Sequence, residues 1–137
     1  YAHHPTEIEA TLQAARGWPD RRIRCLFQPH RYSRTRFLLR RFASCFTLAD
    51  EVILLPIYAA SEDPIDGVSS ETLAAAIRAT GKGNVRVESP EGALERLAAD
   101  ARPGDLILFL GAGSVGQLAR RWSEARRRED ASQPSPV

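Results

Sequence analysis

Gln28-Pro29-His30-Arg31-Tyr32-Ser33-Arg34-Thr35-Arg36 stands between an apolar run, Ile23 to Phe27, and a segment whose apolar residues recur at helical spacing. That order predicts a strand entering a helix through a polar loop, and in open α/β sheets ligands bind in the crevice beyond the carboxyl ends of strands. The loop is therefore the candidate site. Ser33 is the expected N-cap, and Leu38, Phe42, Cys45 and Ala49, with Phe46 beside them, form the stripe of a helix from Arg34 to Leu48. Arg31, Arg34 and Arg36 then crowd a helix N-terminus that already carries positive partial charge. Each exposed guanidinium there is unfavourable by about 0.3 to 1 kcal/mol, a conflict that an arriving carboxylate or phosphate would relieve. A solvated arginine-rich surface is the competing explanation of the charge.

Upstream, Pro5 to Arg16 reads as a helix, with Pro5 in its first turn, Glu7 and Glu9 near its positive end, and Gly17 as the stop. Within the strand Arg22 to Phe27, Ile23, Cys25 and Phe27 share one face and Leu26 takes the other, as a largely buried parallel strand requires. Downstream, Glu51 to Pro56 is a second strand, apolar nearly throughout and ended by a proline that cannot donate to a ladder. The loop from Ile57 to Gly67 is longer than most connections, and such loops tend to be functional. Ser69 caps a helix through Ala79, closed by Gly81. Asn84 to Glu88 is a short strand, and Ser89-Pro90-Glu91 starts a helix that ends before Pro103-Gly104. Asp105 to Leu110 is the last strand, and Gly111-Ala112-Gly113 turns into a helix from Val115 to about Ala125. Residues 126–137, with Arg126-Arg127-Arg128-Glu129-Asp130 and two prolines, are expected to form a disordered tail. Alternating strands and helices predict an α/β fold, a Rossmann-like three-layer sandwich with a mostly parallel sheet.

The chain has 137 residues, enough for one domain with a proper core, and its 43% hydrophobic and 26% charged content is ordinary for a globular protein. A net charge of +2 does not by itself imply nucleic acid. Cys25 and Cys45 have no metal-ligand or redox spacing and fall on apolar patterns, so both are expected to be reduced core thiols in a cytoplasmic protein. No apolar run approaches a membrane span. The chain does not begin with Met, so it is expected to be a piece of a longer protein.

Phe27-Gln28-Pro29-His30-Arg31-Tyr32-Ser33-Arg34-Thr35, taken with Tyr1-Ala2-His3-His4-Pro5-Thr6-Glu7, resembles the C-terminal domain of the Mur ligases. Ile57-Tyr58-Ala59-Ala60, Gly67-Val68-Ser69-Ser70-Glu71 and Gly111-Ala112-Gly113-Ser114 extend the resemblance to about Ala125. A related murein peptide ligase branch shares His-His-Pro-Thr but lacks the Pro-His-Arg-Tyr-Ser-Arg-Thr run, so the resemblance is to the branch that joins L-alanine to UDP-N-acetylmuramate in peptidoglycan precursor synthesis. It implies a largely parallel sheet of about six strands. It also implies a pocket in which Tyr1, His3 and His30 wall the alanine methyl and backbone while Arg31 and Arg34 pair its carboxylate, a match that arginine's planar fork suits. In such enzymes ATP, with Mg2+, phosphorylates the muramate carboxylate, and the alanine amine attacks the acyl phosphate. ATP, Mg2+ and the UDP-sugar are expected to be bound mainly by preceding domains, because no Gly-x-x-x-x-Gly-Lys-Ser/Thr occurs here and the fragment alone is expected to be inactive. Pro56 stands where the family commonly has an acid and Ser61 where it commonly has glycine.

Three other constellations carry weaker chemistry. Gly111-Ala112-Gly113-Ser114-Val115-Gly116 is formally Gly-x-Gly-x-x-Gly and raises a dinucleotide-binding regulatory domain, but the following strand and acidic residue of that fingerprint are missing. A tight turn with close backbone approach is the expected role. His3, His4 and His30 lack zinc spacing, so no metal is expected. Arg31, Arg34, Arg36, Arg40 and Arg41 raise a nucleic-acid module, against which only Tyr32 and Phe37 interleave as aromatics.

Overall fold

In the computed structural model, which describes residues 2–136, β1 (Ile23–Gln28) is buried along its whole length and lies between two parallel neighbours. β2 (Glu51–Leu54) pairs with it on one side, Cys25 opposite Val52, and β4 (Leu106–Gly111) on the other, Cys25 opposite Leu108. β3 (Val85–Val87) adds outside β2, giving the order β3-β2-β1-β4, all parallel. The described residues form four strands, so the larger sheet implied by family resemblance is not met within them.

Because β1 has water on neither face, its side chains divide between two cores. Ile23, Cys25 and Phe27 join α1 (Pro5–Arg16), α3 (Leu39–Ser44) and α4 (Ser70–Ala79) through Ile8, Leu12, Phe42, Leu73 and Ile77. Leu26 joins α5 (Pro90–Asp100) and α6 (Val115–Ser132) through Ala93, Leu97, Val115 and Leu118. The result is the three-layer α/β sandwich expected from the alternating pattern.

Local signals explain most element ends. Ser69 caps α4 and Ser89 caps α5 with their side-chain oxygens, and Gly81 follows α4 at φ +99°, a conformation natural to glycine. The start of α1 is a capping box in which His4 is the N-cap and Glu7 accepts its backbone N–H at 3.1 Å.

Two expectations need correction. The helix after β1 begins at Tyr32, with Arg31 and not Ser33 at the cap position, and it divides into α2 (Tyr32–Phe37) and α3 at Leu38, where φ is −102° and ψ +17°. The break re-phases the stripe: Phe42, Cys45, Phe46 and Ala49 are buried as expected, Leu38 is only half-buried, and Phe37 is turned out with 87% of its surface exposed. α6 runs through Ser132, beyond the expected end near Ala125. The charged run has no glycine or proline to stop it before Pro134, and Arg126 pairs with Glu129 one turn on at 2.7 Å.

Candidate functional site

The strand order changes direction between β1 and β4, the place where open parallel sheets form a crevice at their carboxyl ends. An open cleft of about 700 Å3 lies there, lined by His3, His4, His30, Arg31, Ser33, Arg34, Phe37, Leu38 and Ala112. Of the residues singled out from sequence, His3, His30, Arg31 and Arg34 meet on this cleft, and Tyr1 lies outside the described residues. Arg36 does not join them; it lines a separate hollow with Leu39, Ile65 and Asp66. Arg41 donates to Thr6 Oγ1 at 2.8 Å, so the arginines named for a nucleic-acid surface are dispersed.

Arg34 is anchored by its neighbours. Its Nη1 hydrogen-bonds His3 Nδ1, and because an arginine N–H only donates, His3 accepts there and carries its proton on Nε2. That Nε2 lies 3.8 Å from Glu7 Oε1, the same oxygen that closes the α1 capping box. The start of α1 thus sets the ring that sets the guanidinium. His30 stacks on Tyr58, centroids 5.5 Å apart and planes 13° apart, and meets His3 edge-on at 6.2 Å. Burial, and then the positive charges of Arg34 and Arg31, hold the His30 pKa below its usual value, so it lines the cleft as a neutral imidazole.

The 57–62 loop does not line the cleft but backs the residues that do, His30, Arg31 and Ser33. Tyr58 N–H donates to Pro29 O and Arg31 N–H to Tyr58 O, both at 2.8 Å. Glu62 accepts from Ser33 twice, from N–H at 3.0 Å and from Oγ–H at 2.5 Å, and these bonds hold its carboxyl below the usual range. The carboxylate expected to relieve the crowding at the start of α2 is thus supplied in part by the chain itself. Ser33 is spent on Glu62, which is why it does not act as the cap.

The β4–α6 turn reaches the cleft through Ala112. A Cβ on Gly111, at φ +147°, would stand 2.9 Å from Gln28 O, and one on Gly113 would stand 2.7 Å from the Tyr58 ring. Only glycine fits this approach. The side of Gly113 that a dinucleotide fingerprint leaves open to a pyrophosphate is filled by Tyr58 and Gln28, whose Nε2 donates to Ser114 Oγ at 3.2 Å. Gln28, Tyr58, Glu62 and Ala112 carried no assigned role in the sequence, although Gln28, Tyr58 and Ala112 stand in stretches that carry the resemblance. Distance from Arg31 along the chain hid the roles of Tyr58, Glu62 and Ala112.

Taken together, the cleft presents two guanidiniums, one of them exposed, beside three imidazoles and an apolar rim of Phe37, Leu38 and Ala112. This arrangement suits a small molecule with a carboxylate and a short apolar part.

Residues 1–113 match the family model described as Mur ligase, glutamate ligase domain. The chain is 52% identical over 120 residues to a UDP-N-acetylmuramate–L-alanine ligase from Desulfosudis oleivorans, covering 86% of this chain and 26% of that protein. It is 54% identical over 116 residues to one from Anaeromyxobacter dehalogenans, covering 84% of this chain and 25% of that protein. Among solved structures it resembles a UDP-N-acetylmuramate–alanine ligase from Thermotoga maritima, with a TM-score of 0.73 and 27% identity over 94% of this chain and 26% of that one. A murein peptide ligase from Psychrobacter arcticus gives 0.72 and 25%, covering 91% of this chain and 26% of that one. The chain therefore spans about a quarter of the length of the curated relatives it matches.

Proposed function

Because the chain belongs to the Mur ligase family, we propose that it is the amino-acid-binding domain of an ATP-dependent ligase that joins L-alanine to UDP-N-acetylmuramate. The observation that carries this reading is the convergence of Arg31 and Arg34 with His3 and His30 on one cleft beyond β1 and β4. Two curated relatives more than half identical bear the name of such a ligase, and the separate murein peptide ligase likeness is weaker in sequence.

In this reading Arg31 and Arg34 hold the alanine carboxylate through charge-assisted bonds. Neutral His30 and the His3 ring, together with Tyr1, wall the methyl group and backbone. The amine is thereby directed out of the cleft toward the acyl donor, and the contribution of this domain is positioning. The holding of ATP and Mg2+ is not assigned to this chain. It contains no phosphate-cradling Gly-Lys-Ser/Thr loop, its glycine turn is filled by Tyr58, and the described residues hold no group of three or more His, Cys, Asp or Glu able to take a metal. No step is assigned to this chain through either group; when bound elsewhere in the ligase, they supply activation of the muramate carboxylate. A cytoplasmic setting belongs to the same proposal and is supported by two buried, unbridged thiols. No helix among the described residues is long and apolar enough to cross a membrane.

The test is steady-state kinetics of Arg31→Ala and Arg34→Ala in the full-length ligase, varying alanine, ATP and UDP-sugar separately. Each loss should weaken alanine by about 1.5 to 3 kcal/mol, roughly ten- to more than a hundredfold, with lysine rescuing only partly. If both variants keep the normal dependence on alanine and lose affinity for ATP, the arginines serve nucleotide phosphates and the reading fails.

A further inference from the structure

Outside glycine, the described residues with left-handed backbone are Asp20, Arg31, Ala60 and Ser61, at φ +60°, +71°, +51° and +70°. Three of the four belong to two loops that are bonded to each other beside the cleft. Side chains rarely adopt this conformation without support, and strain of this kind gathers where a structure must aim a group.

The support is visible at both ends of Arg31. Before the strained residue, Pro29 O accepts from the Tyr58 N–H, and the Arg31 N–H is fastened to Tyr58 O. After it, Ser33 is held by both carboxylate oxygens of Glu62. The left-handed pair Ala60-Ser61 makes the turn that delivers Glu62 to Ser33, and Glu62 N–H closes it on Ala59 O at 3.0 Å. Both strained segments therefore serve one contact. Glu62 does not line the cleft, whereas Arg31 and Ser33 do.

We propose that Glu62 is a positioning residue for Arg31: by clamping Ser33 it holds the Pro29–Ser33 turn in the left-handed form that aims the Arg31 guanidinium into the cleft. The proposal rests on reading the cleft as the amino-acid carboxylate site. Without the clamp the turn is free to relax to ordinary negative φ, which redirects the Cα–Cβ bond of Arg31 and carries its long side chain off the ligand.

The experiment is a double-mutant cycle in the full-length ligase with alanine, ATP and UDP-sugar varied separately. Glu62→Ala should raise the KM for alanine by about threefold to thirtyfold, within the range of coupling between groups in one network, with kcat and the other two KM values nearly unchanged. Glu62→Gln, which keeps an acceptor for Ser33, should recover part of the loss, and Ser33→Ala should resemble Glu62→Ala. In an Arg31→Ala background Glu62→Ala should add little. Full additivity of the two losses, or an equal loss toward all three substrates with a lowered melting temperature, overturns the clamp and leaves the cleft reading standing. An Arg31→Ala enzyme with normal alanine dependence overturns both.

Discussion

Arg24 and Glu51 face each other across the β1–β2 ladder, guanidinium Nε 2.5 Å from carboxylate Oε2, with the Arg24 side chain fully buried and that of Glu51 only 7% exposed. Asp100 approaches the same guanidinium at 2.7 Å and Arg22 binds Asp105 beside it at 2.5 Å, so an ion cluster closes the end of the sheet opposite the cleft. Removing one member of a buried pair leaves the other charged and badly solvated. Arg24→Met should therefore destabilise the fold by about 3 to 5 kcal/mol, whereas replacing Arg24 and Glu51 together by apolar residues should cost much less. Urea unfolding checks this, and a midpoint shift with unchanged slope is the expected form.

Acid should weaken the same end of the sheet. The hydrogen bond from Arg22 holds the folded-state pKa of Asp105 below its ordinary 3.8. Its contribution to stability is then complete above that ordinary value and is lost as pH falls through the lower folded value. In Asp105→Asn the unfolding midpoint should be lower at neutral pH and flatter through the acid range. Chemical unfolding followed from neutral to strongly acid pH measures the difference.

Both thiols should be inert in the native protein. Burial pushes Cys25 up to about 12 and raises Cys45 as well, and the Cys45 Sγ–H donates to Phe42 O at 3.3 Å. Thiolate is the reactive form. Labelling by a small thiol reagent should proceed at the rate of unfolding for both residues, and denaturant should accelerate it. Rapid modification of either thiol in the native state would contradict this.

At Gly113 even one methyl group meets an obstacle, because a Cβ would stand 2.7 Å from Tyr58 Cγ and 2.8 Å from Gln28 Oε1. Gly113→Ala should push Tyr58 aside, loosen its stack on His30 and raise the KM for alanine in the full-length ligase. Gly116→Ala, with no atom within 4 Å of the new Cβ, is the matched control and should leave that KM unchanged.

The layers were legible because they depend on periodicity within short segments. Ile23, Cys25 and Phe27 are where alternation puts them, and the serines at 69 and 89 cap where their chemistry allows. The arginine turn does border a cleft, although Arg36 lines another hollow. What the sequence concealed is long-range. Arg24 sits in an apolar strand because Glu51, Asp100 and Asp105 meet it from elsewhere in the chain. Glu62 reaches Ser33 from 29 positions away, and no local propensity announces that bond. Ser33, a good cap by residue type, lost that role to this tertiary partner.

The placement of β4 beside β1 has a consequence for the order in which the domain matures. Within this domain Arg31 and Arg34 follow the first strand, but Ala112 and the Ser114 that bonds Gln28 come at least 78 residues after Arg34. A ribosome that has released only the first three strands has made both guanidiniums and not the surface they face. In the proposed reading, capture of the amino acid waits for the last of these strands, and occupancy reports that all four described strands are assembled.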